Sequence, residues 1–117
     1  MAFDRSERVA ELLQREISLL LREVKDPGVS GLVTVTGLKL ARDRKSAMVF
    51  YSVLGSREQK DSTAKALERA ANFLRHELRD RVKLRSVPKI AFAYDPTPER
   101  AQRIEEILVD IEKERDP

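Results

Sequence analysis

The spacing of apolar residues along this 117-residue chain alternates between a helical and a strand period, and this alternation constrains the fold more than any other feature. From about Arg5 to Lys25, large apolar residues recur at steps of three or four, which predicts an amphipathic helix. The recurring residues are Val9, Leu13, Ile17, Leu20 and Val24. Asp26-Pro27-Gly28 predicts the end of this helix, because proline restricts the residue before it and glycine favours a turn.

Two runs rich in β-branched and aromatic residues follow this helix. They predict strands at Leu32 to Leu40 and at Ser46 to Leu54. The five residues between them, 41 to 45, are mostly polar and include three cations. We therefore expect an antiparallel hairpin with a basic tip.

A helical period returns from about Lys60 to Val82, and one aromatic residue does not fit it. The apolar stripe comprises Leu67, Ala70, Ala71, Leu74 and Leu78. At 100° per residue Phe73 lies well off this stripe. Periodicity leaves two interpretations open: a break near Asn72, because asparagine tolerates the left-handed conformation better than most residues, or one continuous helix with a solvated Asn72.

A third strand is predicted at Val87 to Tyr94, and a last helix at about 98 to 114 after the N-cap-like Thr97. Three strands cannot cover themselves, so the helices must pack on one face of the sheet. The length and the 41% share of apolar residues suit a single domain over residues 1–117 that needs no disulfide or metal.

The predicted order of elements is that of an α+β, type II KH domain, αββααβ, with an extra C-terminal helix. This RNA-binding fold normally clamps the nucleic-acid backbone with a GxxG loop between paired helices. Gly28-Val29-Ser30-Gly31 has GxxG spacing but precedes the first strand, so it cannot be that loop. Ala70-Ala71-Asn72 takes the position of the loop, and we expect the helix pair to be interrupted there.

The residue inventory offers little for catalysis. The chain has no cysteine, which excludes disulfides, thiolate metal sites and thiol nucleophiles. His76, the only histidine, lies between Arg75 and Glu77 in a charged stretch, and we interpret it as a surface residue. There is neither a Walker A loop nor a Rossmann fingerprint. We expect no enzymatic activity, cofactor, metal or small-molecule substrate. The first twenty residues also lack the apolar run of a signal peptide or membrane span.

The distribution of charge predicts an anionic partner. Residues 69 to 89 hold seven basic and two acidic side chains, whereas residues 95 to 117 hold four and eight. Cationic side chains of this kind often only face water on the surface of a helix, but seven in one segment favour binding to RNA phosphates. Most aromatic residues lie in strands, so we expect shape and phosphate contacts to dominate over stacking. The predicted RNA-binding residues are Arg69, Asn72, Arg75, Lys83, Arg85 and Lys89, with Arg42, Arg44 and Lys45 at the hairpin tip as a second group.

Several segments, taken together, resemble the ribosome-binding factor A family of bacterial small-subunit assembly factors. The resemblance covers nearly the whole chain and is carried by Arg5–Val9, Glu23–Pro27, Gly31–Thr36, Val53-Leu54 and Leu84–Asp95. It implies a KH-like fold in which an Ala-x-Gly kink replaces the GxxG loop. Ala70-Ala71-Asn72 stands at that place, with asparagine where the family favours glycine.

The resemblance also implies a function. It implies a cytoplasmic protein that binds the free 30S subunit through 16S rRNA, assists 5′-end maturation of that RNA, and has no enzymatic activity or cofactor. We expect it to be monomeric when free. The alternative from a different class is a protein-interaction module that docks a partner on its sheet edge or its terminal helix.

Overall fold

The computed structural model describes residues 5–24, 28–29 and 31–115, and these form three helices and a three-stranded sheet. The elements in chain order are α1 (Arg5–Glu23), β1 (Leu32–Leu40), β2 (Ser46–Leu54), α2 (Arg57–Arg81), β3 (Lys89–Tyr94) and α3 (Thr97–Arg115). The predicted α+β class is confirmed, and apart from the predicted interruption of α2, every predicted boundary in the described residues lies within three residues of the observed one. The predicted helix-ending Asp26-Pro27 lies outside the described residues.

The strands follow the order β1-β2-β3. β1 and β2 pair antiparallel as the predicted hairpin, and β2 and β3 pair parallel, with Ser46 opposite Lys89 and Tyr51 opposite Tyr94. A parallel pair requires a long crossover, which α2 provides. As a consequence, the hairpin tip and the segment that precedes β3 lie at the same end of the sheet.

Both α1 and α2 pack on one face of the sheet, as predicted. Their amphipathic stripes meet the inward residues of β2, because alternate strand residues point to the same face. The cluster includes Leu13, Ile17, Leu20, Val49, Leu74 and Leu78, all of them exposed by 2% or less. On the opposite face of the sheet, the side chains of Leu32 and Leu54 are 64% and 56% exposed.

The predicted interruption at Ala70-Ala71-Asn72 is wrong. α2 is one continuous helix of 25 residues, and Arg44 is the only non-glycine residue with a positive φ in the described part of the chain. Continuity keeps the buried stripe intact through Leu74 and Leu78. A break would instead leave backbone N–H and C=O groups without helical partners. The continuous helix leaves the apolar side chain of Phe73 54% exposed to water, which is unfavourable.

Local signals explain where α2 begins and ends. Ser56 and Gln59 form a capping box, in which the Gln59 N–H donates to Ser56 Oγ at 3.2 Å and the Ser56 N–H donates to Gln59 Oε1 at 2.8 Å. At the other end, Val82 has extended backbone and is buried, which turns the chain back toward the sheet. The segment 82–88 then leads into β3.

α3 is anchored only near its start. Asp95 accepts hydrogen bonds from the Thr36 hydroxyl at 2.7 Å and from the Thr97 N–H at 2.9 Å. Glu99 accepts a hydrogen bond from the Tyr94 hydroxyl and pairs with Lys60 Nζ at 2.6 Å. From residue 101 to residue 114 every side chain is exposed. The radius of gyration is 17.3 Å, against about 13 Å for a compact 100-residue domain, because α3 extends away from the body.

The hydrogen bonds around the start of α3 also lower the pKa values of Asp95 and Glu99. The Lys60 ammonium lowers the pKa of Glu99 first of all, and the Tyr94 hydroxyl lowers it further. Hydrogen bonds from Thr97 and then from Thr36 lower the pKa of Asp95. Both groups are therefore anionic at neutral pH, at the end of the sheet farthest from the hairpin tip.

Candidate nucleic-acid interface

The hairpin tip and segment 82–88 meet at one end of the sheet. The Lys89 N–H donates to the Lys45 carbonyl at 2.9 Å, and this bond joins the two segments directly. The exposed cations there, termed the basic end, are Arg42, Arg44, Lys45, Lys83, Arg85 and Lys89. Within the described residues, none of the six forms an ion pair with a carboxylate. The structure thus joins six of the nine predicted RNA-binding residues, from two distant parts of the sequence, in one surface.

Hydrogen bonds fix the backbone of the hairpin tip. The Arg44 N–H donates to the Ala41 carbonyl at 2.9 Å, and the Lys45 N–H donates to Asp43 Oδ1 at 3.0 Å. Arg44 has φ of 59°, a left-handed conformation that costs a non-glycine residue about 1–2 kcal/mol. Its Nε donates to Ser6 Oγ at 3.1 Å, so the guanidinium lies against the start of α1.

Arg75 has a structural contact that sequence reasoning did not foresee. Its Nε donates to the Val87 carbonyl at 3.1 Å, and the residue is partly buried. This bond ties α2 to segment 82–88 and so helps to position Arg85. A phosphate contact by Arg75 remains a prediction, and it would use the terminal nitrogens of the guanidinium.

The predicted residues Arg69 and Asn72 lie on the solvent side of α2, away from the basic end. They belong to an exposed row, termed the α2 row, whose members follow at steps of four, three, four and three. The row is Lys65, Arg69, Asn72, His76 and Arg79. Residues at these steps share one face of a helix. Ala70 is buried and Ala71 is half-buried, so neither presents its side chain to a ligand as Asn72 does.

Phe73 is an exposed aromatic residue that is absent from the predicted RNA-binding set. It is 54% exposed, four residues after Arg69 and three before His76, so it lies beside the α2 row. An exposed aromatic ring next to cations can stack on a nucleobase. In the sequence, Phe73 stands out because it lies off the apolar stripe of the helix. A break in the helix would explain that position equally well, so the spacing alone does not show that the ring is exposed.

Arg81 shows why a basic residue in the same segment need not belong to the interface. Its guanidinium pairs with Glu23 at 2.9 Å and with Glu16 at 3.9 Å, which joins α2 to α1. The three residues are neighbours only in the folded chain. Arg81 therefore contributes its charge to helix packing.

Other kinds of site find no support in the described part of the chain. No group of three or more histidine, aspartate or glutamate side chains is placed there to hold a metal ion. No helix formed by the described residues has the length and apolar character needed to cross a membrane.

An antiparallel hairpin, a parallel third strand and helices on one face make this an α+β domain of KH-like architecture. The model of the family described as Ribosome-binding factor A matches residues 5–108. The chain belongs to the ribosome-binding factor A family, and the resemblance noted in its sequence is confirmed.

Individual relatives agree with this assignment. Ribosome-binding factor A of Thioalkalivibrio sulfidiphilus is 46% identical over 107 residues, which cover 91% of this chain and 82% of that protein. The crystal structure of ribosome-binding factor A from Thermus thermophilus superposes with a TM-score of 0.68 at 24% identity, covering 76% of this chain and 93% of the other, and this likeness shows the fold.

A third comparison concerns a complex. Coordinates of the Thermus thermophilus factor, a homology model fitted into the cryo-EM map of a 30S complex, superpose with a TM-score of 0.57 at 25% identity. They cover 79% of this chain and 92% of the other.

Proposed function

We propose that this protein binds the 30S ribosomal subunit through 16S rRNA and assists late maturation of the subunit, including processing of the 5′ end of that RNA. Membership of the family and the relative fitted into a 30S complex support the subunit as the partner. The observation that carries the RNA contact is the basic end. On this proposal the protein is a single KH-like domain that acts in the cytoplasm as a monomer and catalyses no reaction.

Charge is segregated along the sheet in a way that orients the protein on RNA. The six residues of β3 run from Lys89 in the basic end to Tyr94, just before the start of α3, and span roughly 17 Å. This is more than the Debye length of about 8 Å at physiological ionic strength, so the acidic helix does not neutralise the basic end. RNA is therefore attracted to the basic end, and α3 points away from it.

The electrostatic contact predicts a steep dependence of binding on salt. If each of the six cations neutralises one phosphate, the logarithm of the association constant falls with the logarithm of salt concentration at a slope of about −4 to −5. Co-sedimentation of the protein with purified 30S subunits over a salt series measures this slope.

Two triple variants with equal changes in net charge test whether the basic end makes the contact. The basic-end variant carries Arg42→Glu, Lys83→Glu and Lys89→Glu. The matched control carries Arg15→Glu, Arg22→Glu and Arg57→Glu, all of them exposed residues outside both the basic end and α3. We expect the first variant to bind weakly with a slope roughly halved, and the control to bind like the wild type. Equal losses in the two variants would show that only net charge matters and would overturn the proposed interface.

A second surface favours a protein partner. α3 exposes five large apolar side chains by 46% to 58%: Ile104, Ile107, Leu108, Val109 and Ile111. Ile104, Ile107, Leu108 and Ile111 are spaced by three or four residues and share one face of the helix, whereas Val109 lies off that face. An exposed apolar face of this kind marks an interaction site. Glu105, Glu106 and Asp110 lie among these residues and repel phosphates, so we propose as occupant a protein whose apolar groove has a basic rim.

Photo-crosslinking identifies which partner binds the exposed apolar residues of α3. A photoreactive residue in place of Leu108, on protein bound to purified 30S subunits, is expected to capture a basic subunit protein. Crosslinks to rRNA, or to a second copy of this chain, would contradict the proposed partner.

A further inference from the structure

A cleft of about 310 Å³ opens at the basic end, between the hairpin tip, the start of α1 and segment 82–88. Its floor is apolar and is formed by Val9, Leu40, Leu84 and Pro88. Its rim carries three cations of the basic end, Arg44, Lys45 and Arg85, together with Asp43 and Ser86. The combination of an apolar floor and a cationic rim distinguishes this cleft from the rest of the basic end.

The size and chemistry of the cleft limit what it can hold. Pockets for small ligands measure about 300–1,000 Å³, so this one suits a single small group and excludes a duplex. A free phosphate would use the rim and leave the apolar floor uncovered. A nucleotide of RNA offers both: its base has flat apolar faces, and its phosphates match lysine and arginine. Proteins that recognise RNA sequence bind unpaired bases in this way, because paired bases are stacked and inaccessible.

We propose that this cleft captures one unpaired nucleotide of RNA, with the base on the apolar floor and its phosphates on Arg44, Lys45 and Arg85. The proposal rests on the proposed function, since it names the part of the RNA that the basic end recognises. Phosphate contacts elsewhere on the basic end position the protein, and the cleft selects an unpaired site.

The rim is held in place before a ligand arrives. The side chain of Arg44 is hydrogen-bonded to Ser6, and the backbone of Lys45 is bonded on one side to Asp43 and on the other to Lys89. Arg75 holds the Val87 carbonyl in the opposite wall. Such preorganisation lowers the entropy lost on binding. Asp43 adds selectivity, because a carboxylate accepts hydrogen bonds from the exocyclic amino group of a base.

The test uses a variant that fills the cleft and keeps every charge. Ser86 is exposed and lines the cleft, so Ser86→Trp occupies the space of the base, and Ser86→Ala is the matched control. Nuclear magnetic resonance of the ¹⁵N-labelled full chain verifies folding and monitors titration with adenosine 5′-monophosphate, uridine 5′-monophosphate and inorganic phosphate. A second variant, Arg85→Gln, removes one rim cation and leaves the floor intact.

The proposal predicts saturable shifts of the amide signals of residues 43–45 and 84–86 with the nucleotides, and weaker shifts with phosphate. Ser86→Trp should lower nucleotide affinity about tenfold, which corresponds to about 1.4 kcal/mol of lost contact between the base and the floor; Arg85→Gln should lower the affinity less, and Ser86→Ala should leave it unchanged. Equal responses to phosphate and nucleotide, spread over all surface cations, would overturn the proposal. So would nucleotide affinity in Ser86→Trp equal to that of the wild type.

Binding to 30S subunits separates failure of this inference from failure of the proposed function. We expect Ser86→Trp to weaken subunit binding with an unchanged salt slope, because no charge is lost. If Ser86→Trp binds like the wild type while the basic-end variant does not, the cleft proposal is wrong and the proposed function stands. If the basic-end variant also binds like the wild type, the proposed function itself fails.

Discussion

Substitutions at Asn72 report directly on whether α2 is continuous in solution. Asn72 is exposed in the middle of an unbroken helix, so its side chain contributes mainly through helix propensity. Alanine is the best helix former and glycine is less favourable by about 0.8–1.0 kcal/mol. We therefore expect Asn72→Ala to stabilise the protein by about 0.5 kcal/mol and Asn72→Gly to be about 1 kcal/mol less stable than Asn72→Ala.

A left-handed kink at this position would reverse the order of the two variants. In the left-handed conformation the Cβ atom of alanine causes about 1–2 kcal/mol of strain, and glycine has no such strain. Asn72→Gly would then be the more stable protein. The sign of the difference thus decides between the two conformations, and its expected size is about 1 kcal/mol in either case.

Urea denaturation followed by circular dichroism measures both variants, and the difference corresponds to about 4 °C in Tm for a domain of this size. Ala64→Gly is the internal reference, because Ala64 is also exposed within α2 and its replacement should cost about 1 kcal/mol. If Asn72→Gly proves more stable than Asn72→Ala while Ala64→Gly is destabilised as expected, the continuous helix is refuted.

Three further predictions concern the core, the helix contacts and pH. Leu74→Ala should destabilise the protein by about 2–5 kcal/mol in urea, since Leu74 is fully buried between helices and sheet; a cost below that range would contradict the packing. Arg81→Ala should cost less than about 1 kcal/mol, because the carboxylate of its nearest partner, Glu23, is 63% exposed, and should leave 30S binding unchanged. Lys60 lowers the pKa of Glu99, so this carboxylate stabilises the folded state above its ordinary pKa of 4.5, and that contribution is lost as pH falls through the lowered value. The protection of the amides of residues 100–104 against exchange, taken relative to the intrinsic rate at each pH, should therefore fall on acidification in the wild type, and Glu99→Gln should show low protection already at neutral pH; equal protection in the two proteins at neutral pH would contradict this role.

The sequence alone sufficed for the elements and for the class of fold. The stripe from Val9 to Val24 predicts α1, the β-branched runs on either side of residues 41–45 predict the hairpin, and Thr97 marks the start of α3, because such signals act over a few neighbouring residues. The same local information showed which part of the chain is basic. It also left both conformations of α2 open, since propensity and spacing at Asn72 suit either one.

Only tertiary structure decided which of these features act together. The parallel register that sets Ser46 opposite Lys89 brings the hairpin tip to segment 82–88, and no local pattern encodes a contact between residues so far apart. The same packing pairs Arg81 with Glu23 and leaves Arg85 open to solvent, although the two cations are close in sequence. Burial of Leu74 and Leu78 against the sheet keeps α2 straight, because the free energy of packing along the whole helix outweighs the exposure of one aromatic ring.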